Sequence, residues 1–166
     1  MKKYFFLLLS LFLSTAAAQG GHPLLNVKAP EFSLLDQYDK PYNIRQGEGS
    51  IVVLLASDKE GEPQNALWRS AIEERYRDKI FLIGIADVRT VPFFLKSRIK
   101  NNFRKDNARI LLDWTGEVFT NYVLAKHASN IVLIDKKGRV RYVTSGEVTI
   151  VARETLFKEI DKLLRD

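Results

Sequence analysis

Four uninterrupted apolar runs constrain this chain more than any other feature. They are Ile51-Val-Val-Leu-Leu-Ala56, Ile80-Phe-Leu-Ile-Gly-Ile-Ala86, Arg109-Ile-Leu-Leu-Asp113 and Asn130-Ile-Val-Leu-Ile-Asp135. Their apolar cores do not alternate with polar residues, so each suits a strand buried on both faces of a sheet. Segments of helical period lie between them. Trp68, Ile72 and Tyr76 recur beside Leu67 and Ala71, in a stretch that Pro63 can open and that runs to about Arg77. Leu95, Ile99 and Phe103 fall on one stripe of the next helix, joined by Phe94. Trp114 to Tyr122 reads as a loop and a short helix. Helices between buried strands imply parallel crossovers.

Both ends of the pattern differ from its middle. Glu31–Asp36 and Pro41–Ile44 read as two short strands around a polar turn, closed by Gly47 and Gly49. Near the other end, Lys136-Lys-Gly138 predicts a tight turn in which Gly138 supplies a positive φ. Arg139–Thr144 then returns antiparallel. Thr149 is placed to cap a last helix with the stripe Leu156, Ile160, Leu163 and Leu164. The expected order is β-β-β-α-β-α-β-(α)-β-β-α, in one α/β domain over residues 27–166.

Composition removes several chemistries. The 166 residues contain no cysteine and one methionine, Met1. There is therefore no disulfide, thiolate nucleophile, Cys-ligated zinc or iron–sulfur cluster. Two histidines argue against a multi-histidine metal centre. No metal and no cofactor is expected.

The amino terminus has the layout of a secretory signal. Lys2 and Lys3 precede a nearly unbroken apolar stretch from Tyr4 to Thr15, followed by Ala16, Ala17 and Ala18. The stretch is shorter than the roughly 20 residues of a membrane span. We therefore expect residues 1–18 to be a cleaved signal peptide and residues 19–26 to be a linker. The expected destination is the periplasm or the exterior of a bacterium, with no membrane span after cleavage. Cleavage after Gln19 would instead leave an amino-terminal Gly20-Gly21-His22, a nitrogen donor set suited to Cu(II) or Ni(II). The A-x-A pattern favours Ala18 and hence a flexible linker.

Ala29-Pro-Glu-Phe-Ser-Leu-Leu-Asp36, a hairpin and then Ile51-Val-Val-Leu-Leu55 resemble the opening of redoxins of the thioredoxin-like superfamily. Ile131-Val-Leu-Ile-Asp-Lys-Lys-Gly-Arg-Val140 is similar to their late hairpin. Leu111-Leu-Asp113-Trp114-Thr-Gly116-Glu-Val118, followed by Asn130, resembles the exported YtfJ-type branch. The resemblance implies a three-layer α/β/α sandwich around a mixed sheet, with an N-terminal β-hairpin. Active members carry a cysteine just after the first central strand and a cis-proline before the late hairpin. The corresponding segments here are Ala56-Ser-Asp-Lys-Glu-Gly-Glu-Pro63 and Ala128-Ser129-Asn130, with neither thiol nor proline. Thiol exchange needs a thiolate, so this chain alone performs neither disulfide exchange nor thiol-peroxidase chemistry.

The candidate binding face implied by that resemblance comprises Ser57, Asp58, Lys59, Trp114, His127 and Asn130. Asp58, Glu60 and Glu62 precede a helix, where its dipole favours anions; a metal or acid–base site is the alternative for them. Ser57 stands near the position of the missing nucleophile, and the fold could bring His127 to it as a hydrolase-like pair. Trp114, beside Asp113 and Gly116, could line a pocket or serve as packing. Lys96, Arg98, Lys100, Arg104, Lys105 and Arg109 form a basic run opposed only by Asp106, with Phe94 and Phe103 interleaved. We read it as a solvated helix face with its aromatics in the core. A partner there would be an anionic envelope surface or an acidic protein rather than nucleic acid.

Three functions remain from the sequence. The first is a non-catalytic module that binds an unidentified envelope protein or small ligand. The second is an accessory member of a periplasmic redox or peroxide-stress pathway, acting through a partner's thiols. The third is a hydrolase-like site at Ser57 and His127. Oligomeric state is not legible.

Overall fold

Val52–Ser57 (β3) shows how the apolar runs are used. All six residues are buried, but successive side chains point to opposite faces. Val52, Leu54 and Ala56 join one core, while Val53 and Leu55 join the other. A strand packed on both faces needs a layer on each side. The computed structural model describes residues 21–105 and 108–166 and supplies both layers.

The sheet has seven strands in the order β2-β1-β5-β4-β3-β6-β7. The remaining strands are Ser33–Asp36 (β1), Pro41–Asn43 (β2), Phe81–Asp87 (β4), Ile110–Asp113 (β5), Asn130–Ile134 (β6) and Val140–Ser145 (β7). β3, β4 and β5 run parallel, as expected of strands linked by helices. β6 lies antiparallel to β3, and β7 to β6. The N-terminal hairpin β1–β2 adds to β5 antiparallel.

The helices are Glu62–Tyr76 (α1), Lys96–Phe103 (α2), Glu117–Asn121 (α3) and Ile150–Arg165 (α4). On one face, Trp68, Ile72 and Tyr76 of α1 meet Leu156, Phe157, Ile160 and Leu163 of α4 over β3 and β6. On the other, Val118 and Phe119 of α3, with Tyr122, pack on β3 and β6 beside Phe32 and Tyr42. The fold is a thioredoxin-like three-layer α/β/α arrangement in the expected element order. Thr149 caps α4 by accepting from the Ala152 N–H at 3.1 Å, and Gly138 takes φ 72° in the β6–β7 turn.

Several local expectations change. Leu67 is exposed rather than part of the α1 stripe. Pro63 is the second residue of α1, after Glu62. α2 contains no buried residue; Ile99 and Phe103 are half-buried, and Phe94 is 81% exposed, so it is not a core aromatic. The basic run is opposed by the N-terminal hairpin. Lys100 pairs with Asp39, Arg109 with Asp36 at 3.2 Å, and Arg104 donates to the Gln37 carbonyl.

The proposed signal and Asp106 lie outside the described residues. The part of the linker within them is docked. Asn26 donates to Val140 O, Leu24 packs on the core, and His22 Nδ1 accepts from the Leu24 N–H at 3.4 Å. Backbone groups paired in this way do not make a free tether. Among the described residues, no helix is long and apolar enough to cross a membrane.

Candidate functional site

The parallel strands β3, β4 and β5 all end at one edge, where open α/β sheets place their ligands. Register aligns Ala56 with Asn130 and Asp87 with Asp113 across it. The loop after β3, residues 58–61, faces the loop before β6, residues 123–129. Gly61 permits this approach. A Cβ there would lie 2.3 Å from the carbonyl carbon and oxygen of Ala128.

Asp58 joins the two loops. One carboxylate oxygen accepts from the Gly61 N–H at 2.9 Å, at the start of α1. The other accepts from the backbone N–H of His127 at 2.7 Å and lies 3.5 Å from its Nδ1. Glu60 reaches the same Nδ1 at 3.6 Å. The imidazole thus sits between two carboxylates, 70% exposed, on a left-handed residue with φ 58°. Such backbone positions cost about 1–3 kcal/mol for a side chain of this kind and persist only when neighbours impose them. The hydrogen bond to Asp58 is one such restraint.

A second network lies beneath. The Asn65 amide donates to Ser57 Oγ at 2.6 Å, and the Ser129 hydroxyl donates to Asn65 Oδ1 at 2.6 Å. Gln64 Oε1 accepts from the Ser129 N–H at 3.0 Å. Ser57 is buried and, among the described residues, makes no hydrogen bond with His127. The hydrolase-like pair, the third of the alternatives left by the sequence, is not assembled: Asn65 occupies the serine, while the imidazole faces the carboxylates.

Asn130 is a scaffold residue. Its amide donates to the carbonyls of Ala56, Ala125 and Ala128, and its Oδ1 accepts from the Ala125 N–H. Asp113 does similar work for the neighbouring loop. It is fully buried and accepts from the backbone N–H groups of Gly116, Glu117 and Val118. Lys59 is exposed at the loop tip. Trp114 is half-buried under Lys96, whose Nζ is 4.7 Å from the ring centroid.

Sequence reasoning missed Gln64 and Asn65, and placed Ser129 only in the segment without the proline. Nothing local marks them, because 64 residues separate Asn65 from Ser129. It named Glu60 as a helix-dipole anion, with a metal or acid–base site as the alternative. Asp58, Glu60 and His127 present ligand atoms within 4.8 Å of one another and could offer one nitrogen and two oxygens to a cation. The same atoms already join the two loops directly. Beside the edge, a cavity of about 470 Å³ runs along α1, lined by Ser57, Asn65, Arg69, Gly84, Phe103 and Ile110. Its volume is in the range of small-molecule sites.

With this geometry in place, a family model described as "Bacterial protein of unknown function (YtfJ_HI0045)" matches residues 70–163, more than half of the chain. The chain belongs to this family. The match contains His127 and the late hairpin, while Ser57–Gly61 lies before it. No curated protein matches.

Solved structures show the fold. The exposed lipoprotein thioredoxin of Streptococcus pneumoniae is 17% identical, with a TM-score of 0.63 over 81% of this chain and 100% of its own. A proposed protein disulfide isomerase from Bacteroides thetaiotaomicron is 19% identical, with a TM-score of 0.66 over 86% and 91%. A proposed thiol:disulfide interchange protein DsbE from Chlorobium tepidum is 20% identical, with a TM-score of 0.65 over 82% and 95%. This YtfJ-family chain, with no cysteine, has the thioredoxin-like frame without its thiols.

Proposed function

We propose that this YtfJ-family protein is an exported, non-catalytic binding module. Its working surface is the sheet edge formed by residues 57–61 and 123–130, with Trp114 beside it. Residues 1–18 act as a cleaved signal, and residues 27–166 form the exported domain. The carrying observation is the cross-loop lock at the thiol position, where Asp58 holds His127 and Asn65 joins Ser57 to Ser129. A pre-positioned polar edge without a nucleophile suits recognition, because little ordering entropy is left to lose on binding. The partner is an envelope protein at the exposed Lys59, Glu60 and His127 or a small ligand in the adjoining cavity.

Crosslinking and capture from the native envelope test this reading. Lys59→Glu and Trp114→Ala should each weaken recovery of a specific partner while leaving the fold intact. Unaltered capture by both variants would place the binding surface elsewhere. A second reading, an accessory role in a redox or peroxide pathway through a partner's thiols, draws on the thiol-exchange names of the structural neighbours. It expects the captured partner to carry a redox-active cysteine pair. The purified chain alone should show no turnover of insulin disulfides or peroxide.

A further inference from the structure

Among the described residues, Phe93 and Phe94 are the two most exposed large apolar side chains, at 82% and 81%. They sit in a 3₁₀ turn, Phe93–Leu95, that follows Pro92 and leads directly into α2. Folding does not bury them, although both cores lie in the same chain. Lys96 Nζ lies 5.2 Å from the Phe93 ring and 4.7 Å from the Trp114 ring, so a cation is stacked between two aromatics.

The helix behind this tip is cationic. Its sequence, Lys96-Ser-Arg-Ile-Lys-Asn-Asn-Phe103, contains three basic residues and no acid. Arg98 and Asn101, three residues apart, lie on its exposed side, and the exposed Phe94 precedes them in the 3₁₀ turn. Lys96 and Arg98 make no ion pair among the described residues. Among the described residues, Asp87 pairs with Arg89, Asp39 with Lys100 and Asp36 with Arg109. Lys100 and the Arg104 bond to Gln37 O also tie the far part of the segment to the hairpin, leaving the aromatic tip projecting.

We propose that this tip docks the protein on an anionic phospholipid surface, with Phe93 and Phe94 entering the interface and Lys96 and Arg98 at the headgroups. Aromatic rings beside basic residues are the combination that membrane interfaces retain. Patch size favours a bilayer over a protein partner. Two phenylalanines cover about 300–500 Å² at most, below the roughly 800 Å² that each partner gives to a standard protein interface. A bilayer needs only shallow insertion plus charge. This docking shares Trp114 with the proposed binding surface but does not use the 57–61/123–130 edge, and it stands whether or not that reading holds.

The test uses the protein purified from its native envelope, with its N-terminus read by mass spectrometry. It is co-sedimented with vesicles containing phosphatidylglycerol and with vesicles of phosphatidylcholine alone. Binding should require phosphatidylglycerol and fall as salt rises. Phe93→Ser with Phe94→Ser should reduce partitioning by about tenfold or more. Lys96→Gln and Arg98→Gln should each reduce it by about fivefold. Trp114 fluorescence should shift on vesicle addition in the wild type and not in the Phe variant. All of these side chains are at least partly exposed, and an unchanged melting temperature will verify folding. Equal binding to the two vesicle types, or wild-type binding by the double Phe variant, overturns the proposal. So does absence of vesicle binding, including where the same tip captures an acidic protein.

Discussion

Gly61 carries the closest approach at the candidate edge, and its lack of a side chain is a packing requirement. Its backbone φ of −82° suits any residue, but a Cβ would meet Ala128 backbone atoms at 2.3 Å. Backbone cannot rotate away as a flexible side chain can. Gly61→Ala should therefore cost about 1–3 kcal/mol in urea unfolding, as overpacking does. It should also shift the amide resonances of residues 124–130, because the opposing loop must retreat. A variant of wild-type stability with unmoved loop resonances would contradict this account of the edge. At the same scale, Asp58 and Asn130 were legible as candidate residues from their places around the missing thiol and proline. Their roles were not. Asp58 is a cross-loop restraint and Asn130 a buried clamp, and both assignments depend on partners that only the folded chain brings near.

At the scale of elements, α1 and α4 are fastened through Tyr76. Its hydroxyl lies 3.0 Å from both the Phe157 carbonyl and Asp161 Oδ1, and its ring meets Phe157 edge-on. Burial, and then the Asp161 carboxylate, push the phenol well above its ordinary pKa, so it remains a protonated donor. Tyr76→Phe keeps the ring and removes the donor. It should lower stability by about 1 kcal/mol in denaturant unfolding, with the exchange protection of α4 amides falling first. Unchanged stability and protection would mean that ring packing alone holds the two helices. The stripe Trp68, Ile72 and Tyr76 was readable because helical period puts those residues on one face. The same logic failed for Phe94. Periodicity states which residues share a face, but not whether a layer exists to cover it.

At the scale of the whole molecule, the proposed cleavage would leave a domain without sulfur. With no cysteine, and with Met1 as the only methionine, cleavage within the first twenty residues leaves no thiol or thioether. Peroxide treatment of a form cleaved in this way should give no sulfoxide or disulfide product by mass spectrometry and should leave its melting temperature unchanged. Recovery of a Met1-containing protein from the envelope would disprove the proposed processing. Sheet order has the larger consequence for charge. β1 lies beside β5, which brings Asp36 and Asp39 of the hairpin to Arg109 and Lys100. A run that reads as nearly unopposed along the chain is partly neutralised in the fold, while Lys96 and Arg98, beside Phe93 and Phe94, make no ion pair among the described residues.

The amino-acid sequence by itself determined the order of strands and helices, the Gly138 turn, the Thr149 cap and the exclusion of thiol chemistry. Each rests on residue type or on a period of a few positions, which local sterics and hydrogen bonding enforce. Only the tertiary structure decided that His127 meets Asp58 across 69 residues, that Ser57 is taken by Asn65, and that an aromatic pair stays in water. Those outcomes depend on which strands become neighbours and which faces find cover, and these are set by packing of the whole chain at once.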